Sequence, residues 1–107
     1  MSLENIVRNG ELLDCYGALL TARQRECLDL YYNENLSLAE IAGHFNISRQ
    51  AVHDAMRHGE EQLLAYEAAL HLAKMRAARQ AAADRLSRFV APAYAGEAQE
   101  LLKVLRE

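Results

Sequence analysis

Apolar residues in this chain recur three and four positions apart from Ile6 to Leu105, the spacing that gathers side chains on one face of a helix rather than of a strand. The supply of helix breakers agrees, with five glycines and a single proline, Pro92. An all-α fold is expected. At 107 residues, 51% hydrophobic and 25% charged, the chain has the profile of one soluble globular domain, and a second independent core is not expected. No apolar run approaches the roughly 18 residues of a membrane span, and charges interrupt the first eleven residues where a secretion signal would be apolar. A cytoplasmic location follows as an expectation. Cys15 and Cys27 fall in helical stretches without metal or redox spacing, so they are expected to be reduced, buried and apolar in role.

Capping signatures place the helix ends. The first helix is expected from about Glu4 to Gly17, with Ile6, Val7, Leu13 and Tyr16 on one side, Leu12, Cys15 and Leu19 adjoining, and Gly10 weakening it without ending it. Thr21 and Gln24 form a T-x-x-Q capping box, so a second helix should run to about Tyr32 with Leu28 and Tyr31 inward. Asn33, Glu34 and Asn35 break it. Ser37 and Glu40 make a second box, S-x-x-E, opening a short helix to about Phe45. Ser48 then caps a long helix whose inward positions are Val52, Met56, Gly59, Leu63 and Tyr66.

A short capped helix, a three-residue turn and a second capped helix over residues 37–57 are the marks of a helix-turn-helix. The turn, Phe45, Asn46 and Ile47, contains asparagine, the non-glycine residue that best tolerates positive φ. Ile41, Ile47 and Val52 would lock the crossing, with Ala42 and Ala51 small enough for close approach. Such a unit reads a major groove with the first turns of its second helix, so Ser48, Arg49, Gln50, His53, Asp54 and Arg57 are the candidate contacts and DNA the expected partner. Arg grips guanine, Gln pairs with adenine, and the helix start at Ser48 holds a phosphate through backbone amides. The charge balance resists this reading. Twelve basic against fifteen acidic residues give net −3, and Gln50, Asp54, Arg57 and Glu61 together carry net −1, so strong nonspecific DNA binding is not expected.

After Glu67 the composition shifts to Ala and Arg. Ala65, Ala68, Leu72, Met75, Arg79, Ala82, Leu86 and Phe89 form a thin heptad seam, suited either to dimerisation or partner binding or to folding back on the same chain. Pro92 and Gly96 are expected to end it, and Ala98, Leu101, Leu102 and Leu105 mark a final amphipathic helix that needs a cover. The organisation read from this is a helix-turn-helix domain over residues 1–66 and a helical C-terminal extension over 67–107. Lys74, Arg76, Arg79, Arg85 and Arg88 against Asp84 give net +4, a surface for RNA or another anionic partner, or simply a solvated face. The histidines His44, His53, His58 and His71 lack metal-ligand spacing, and there is no phosphate loop or nucleophile elbow, so no metal, cofactor or enzymatic activity is expected.

The runs Leu-Leu-Asp-Cys-Tyr-Gly-Ala-Leu-Leu-Thr over 12–21, Arg23-Gln24-Arg25, Leu30-Tyr31-Tyr32, Leu-Ser-Leu-Ala-Glu-Ile-Ala over 36–42 and Ile-Ser-Arg-Gln-Ala-Val over 47–52 resemble the YlxM-type family, bacterial helix-turn-helix proteins similar to the fourth conserved region of sigma factors. The resemblance covers about Leu12 to Leu72, with little likeness visible from Ala73 onward. It implies a helix-turn-helix of sigma-70 region 4-like, winged-helix-superfamily type with a long C-terminal helical extension. It also implies a dimeric, cytoplasmic regulatory protein of the signal recognition particle pathway, since the family's genes lie beside those for the particle's proteins. On the sigma comparison, Arg49, Gln50, His53 and Arg57 would contact DNA. Where sigma factors continue with basic residues, this chain has His58, Gly59, Glu60 and Glu61, which argues against tight promoter binding. Two functions stay open: a DNA-binding regulator, or an all-helical interaction module docking on signal recognition particle protein or RNA.

Overall fold

The computed structural model describes residues 3–107, and their side chains from Asn5 onward. The fold is all-α, with no strand among the described residues: α1 (Leu3–Tyr16), a 3-10 turn (Gly17–Leu19), α2 (Ala22–Tyr32), α3 (Leu38–Phe45), α4 (Arg49–Leu70), α5 (Leu72–Ser87), a second 3-10 turn (Pro92–Tyr94) and α6 (Ala95–Arg106). The chain divides into two compact units, Met1–Leu70 and His71–Glu107. No described helix is long and apolar enough to cross a membrane.

In the first unit α4 is the spine, packed by α1, α2 and α3. Both expected capping boxes are formed: the Thr21 hydroxyl accepts from the Gln24 amide at 3.2 Å while the Gln24 side chain accepts from the Thr21 amide, and Ser37 and Glu40 do the same at 3.1 Å. Each cap contributes about 1 kcal/mol by satisfying amides that the first helical turn leaves orphaned. Val52, Met56, Gly59 and Leu63 bury one stripe of α4 against Tyr16, Leu28 and Ile41. Each fully buried aliphatic side chain is worth roughly 1.5–3 kcal/mol. Gly59 is what lets α2 come this close, for a Cβ there would meet Leu28 Cδ1 at 2.8 Å. The rim is polar: the hydroxyl of Tyr16 donates to Glu67 at 2.6 Å, and one heptad earlier on α4 the hydroxyl of Tyr32 donates to Glu60 and accepts from Asn9.

Three sequence expectations in this unit are corrected. Val7 faces solvent, because Leu12, Leu13 and Tyr16 fix the inward direction of α1 and at about 100° per residue Val7 points nearly opposite. Leu19 is also exposed, since the 3-10 turn beginning at Gly17 rotates it out of register with Leu12. Ala51 is exposed, and Ala42 alone provides the close approach at the α3–α4 crossing. Both cysteines are free, Cys15 half-buried and Cys27 fully buried, where burial pushes the thiol up despite the opposing charge of Arg23.

The heptad seam does not run through one rod. His71, at φ 55°, is left-handed and separates α4 from α5, placing Ala65 and Ala68 on one helix and Leu72 onward on another. The seam's members are exposed. In the second unit α5 and α6 form an antiparallel hairpin: the Gln80 side chain donates to the Arg106 carbonyl at 3.1 Å, Arg79 to that of Glu107 at 3.3 Å, and Arg106 bridges Asp84 at 3.0 Å. Of the expected stripe of α6 only Leu102 is buried, against Ala83 of α5. Gly96 lies inside α6 rather than ending a helix, and Pro92 opens the 3-10 turn, where its missing amide costs nothing.

Candidate nucleic-acid interface

The geometry of the site starts at the cap of α3. Asn46 adopts the left-handed conformation, φ 55° and ψ 48°, and ends the helix, with its own amide and that of Ile47 returning to the Gly43 and Ala42 carbonyls. The linking residues are thus Asn46, Ile47 and Ser48, one later than the sequence suggested, because Phe45 still completes α3. Ser48 starts α4: its hydroxyl accepts from the Ala51 amide at 3.0 Å. Ile41 and Val52, both without exposed surface, pin the crossing, and Ile47 is half-buried beside them. The outer end of α3 is held by Arg23 of α2, whose guanidinium sits 4.5 Å over the Phe45 ring.

This elbow leaves the start of α4 outward. Arg49, Gln50, His53 and Arg57 are exposed and fall within an arc of about 100°, roughly 12 Å long, that flanks the buried Val52 stripe on one side. The four differ in availability. Arg49 makes no ion pair or side-chain hydrogen bond among the described residues. Gln50 donates through Nε2 to Asp54 at 2.9 Å, and His53 Nδ1 lies 3.7 Å from the same carboxylate. Arg57 is tied to Glu61 at 3.3 Å, an exposed pair of little energetic weight that phosphate can displace. In the cap the Ser48 hydroxyl only accepts, so its own O–H, with the backbone amides at this helix start, is left to donate to an anion. Beside His53 and Arg57, a cleft of about 200 Å³ is floored by Tyr31, Leu38 and Met56. Sequence reasoning missed Leu38 as its wall, and it missed the Gln50–Asp54 latch, although the i, i+4 spacing was there to suggest one.

Charge is divided between the two units. Met1–Leu70 holds five basic and eleven acidic residues, His71–Glu107 seven and four. At the helix-turn-helix tip Arg49 and Arg57 are matched by Asp54 and Glu61, so the first unit offers no cationic surplus there.

A family model described as "Putative helix-turn-helix protein, YlxM / p13 like", UPF0122, matches residues 3–100. The chain belongs to the UPF0122 family. Similar members include the UPF0122 proteins of Latilactobacillus sakei, 42% identical over 107 residues covering all of this chain and 94% of the relative, and of Geobacillus kaustophilus, 40% identical over 105 residues covering 98% and 94%. The Clostridium kluyveri protein is 53% identical over 70 residues, 65% of this chain and 63% of its own. The likeness does not stop near Leu72, as the motifs alone suggested, but continues through the α5–α6 hairpin. That stretch escapes motif reading because Ala and Arg at helical spacing carry no distinctive signature. For this UPF0122 protein, the helix-turn-helix elbow at Asn46 lies within the residues the family model matches.

Proposed function

We propose that this UPF0122 protein is a cytoplasmic DNA-binding regulator that inserts the start of α4 into a major groove, in the manner of region 4 of sigma-70 factors, and does so as a homodimer. In this reading residues 1–66 are the reading domain and 67–107 the dimerisation or partner-binding segment. The observation that carries it is the elbow at Asn46, which leaves Arg49, Gln50, His53 and Arg57 exposed together on one arc. Arg49 is the cation with no competing partner, and it reads a guanine edge; Gln50 reads adenine; Ser48 and the first amides of α4 meet a phosphate. The modest affinity expected from net −3 suits a regulator that needs two half-sites about 34 Å apart. Fluorescence anisotropy with duplex fragments from upstream of its own operon tests this: Arg49→Ala should weaken binding by about 1–3 kcal/mol, and unchanged affinity removes Arg49 from the interface.

The division of charge favours a second reading, in which the helix-turn-helix is a scaffold and the basic hairpin docks on protein or RNA of the signal recognition particle. Neutralising Arg76, Arg79, Arg85 and Arg88 would then abolish capture of the particle while Arg49→Ala leaves it intact. The opposite pattern discards this reading. A steep fall of affinity with salt accompanies phosphate contact in either case, so duplex and particle RNA are compared at matched ionic strength.

A further inference from the structure

The cations of the His71–Glu107 unit are not spread evenly over its hairpin. Ala83, buried against α6, marks the inward direction of α5. On the opposite side, the back of the helix, an arc of about 100° holds Lys74, Ala77, Ala78, Ala81, Arg85 and Arg88 and nothing else. All six are exposed. Three are cations, three are alanines and none is a carboxylate. Of the other cations, Arg76 is half-buried on the inward side, Arg79 donates to the Glu107 carbonyl at 3.3 Å, and Arg106 is bound to Asp84 at 3.0 Å. Arg85 and Arg88 make no ion pair or side-chain hydrogen bond among the described residues.

On α6, with Leu102 inward, Glu97 and Glu100 fall on the back. The hairpin is thus cationic on one outer face and acidic on the other. Two helices, each about 10 Å across, hold these faces roughly 20 Å apart, well beyond the ~8 Å screening length of physiological salt. An anion approaching α5 therefore meets its cations with little opposition from the α6 glutamates, although the whole chain is net −3. The chemistry of the arc selects the ligand. Protein interfaces have a core depleted in charge and anchored by large side chains in pockets, and nothing on this arc is apolar beyond a methyl group. Nucleic acid is held instead by rows of Lys and Arg that neutralise successive phosphates, with guanidinium well shaped for the phosphate oxygens. The alanines keep the helix low between the cations, so a phosphate backbone can lie along about 20 Å from Lys74 to Arg88.

We propose that the back of α5, with Lys74, Arg85 and Arg88 set over Ala77, Ala78 and Ala81, is a sequence-independent binding strip for the phosphodiester backbone of a nucleic acid. This rests on the second reading above and deepens it by naming the ligand chemistry and the surface. The test is a salt titration of binding to random-sequence duplexes, read by fluorescence anisotropy. It is run in an Arg49→Ala background, so that the start of α4 contributes least, with folding checked by circular dichroism. On duplex DNA, Arg85→Gln with Arg88→Gln should lower the slope of log affinity against log salt by about 1.8, the share of two phosphate contacts. Arg76→Gln with Arg79→Gln removes the same charge from the same helix and should leave the slope nearly unchanged. Equal losses from the two pairs, or a larger loss from Arg76 and Arg79, overturn the strip while leaving the hairpin as the docking segment; no loss from either overturns both. Duplex DNA and duplex RNA of equal length are run side by side, and a selective loss on either supports the strip and shows which backbone it serves. Poly-glutamate that competes as well as duplex at equal charge overturns the assignment to phosphate and points to an acidic protein instead.

Discussion

Gln50 and Asp54, one turn apart on the exposed face of α4, are joined by a hydrogen bond of 2.9 Å in which the Gln50 carboxamide donates to the carboxylate. The bond fixes which way the amide faces. One N–H is spent on Asp54, leaving the other N–H and Oε1, the donor and acceptor pair that matches N7 and the exocyclic amine of adenine. Guanine offers two acceptors at the same positions and would need two donors. On the proposed DNA-reading role, Asp54 would make the face more acidic and its neighbour more selective.

Asp54→Ala should accordingly raise general affinity for duplex DNA, by removing a negative charge, while lowering discrimination between adenine and guanine at one position by about 1–3 kcal/mol. Selection from a randomised duplex pool, run for both proteins at one salt concentration, reads the two effects separately. Equal base preference in the variant would show that the latch orients nothing.

The elbow predicts a stability pattern at one residue. Asn46 at φ 55° holds a conformation that a Cβ-bearing residue pays to adopt, asparagine least among them. Asn46→Gly should be neutral or slightly stabilising, whereas Asn46→Ala should cost about 1–2 kcal/mol. Thermal unfolding followed by circular dichroism distinguishes them, and equal midpoints would contradict the strain argument.

Much of this fold was legible because its signals are local. Ser37 with Glu40, Thr21 with Gln24 and the asparagine at 46 each act within four residues, so they can be read from spacing, and the stripe from Val52 to Leu63 follows from period alone. What could not be read depends on other things. His71 breaks a periodic run with no glycine or proline beside it, so the heptad pattern passed over it. Val7 is as apolar as Ile6, and only the direction set by Leu12, Leu13 and Tyr16 decides which of them faces water. At the site, residue types and exposure were legible, while the pairings that leave Arg49 available and engage Gln50 and Arg57 are matters of rotamer.

The glycines of α1 and α4 should respond in opposite ways to alanine. Gly10 has nothing within 4 Å of where its Cβ would be, so Gly10→Ala should stabilise by about 0.5–1 kcal/mol through helix propensity. At Gly59 the added carbon meets Leu28 Cδ1 at 2.8 Å and Gln24 Cβ at 3.4 Å. Leu28 is wholly buried, so its side chain has to shift within a packed core, and overpacking of roughly 1–3 kcal/mol should outweigh the propensity gain. Urea unfolding of the two variants checks the sign of each change.

The final prediction concerns pH. The Tyr32 hydroxyl has its acidity suppressed, first by burial and then by its donation to Glu60, with Asn9 opposing weakly, so its pKa lies well above the usual tyrosine value. The unfolded chain ionises this group near pH 10, while the folded one keeps it protonated to higher pH. Above pH 10 the unfolded state therefore binds fewer protons than the folded state, and the stability this group contributes, complete below pH 10, drains away as pH rises toward the folded value. Tyr32→Phe removes both the bond to Glu60 and this dependence. It should cost about 1–2 kcal/mol at pH 8, for a half-buried carboxylate loses its donor. Plotted against pH, the stability difference between the two proteins should shrink above pH 10. A difference that stays constant up to pH 11.5, measured by urea unfolding, would mean that the Tyr32 to Glu60 bond does not couple proton binding to folding.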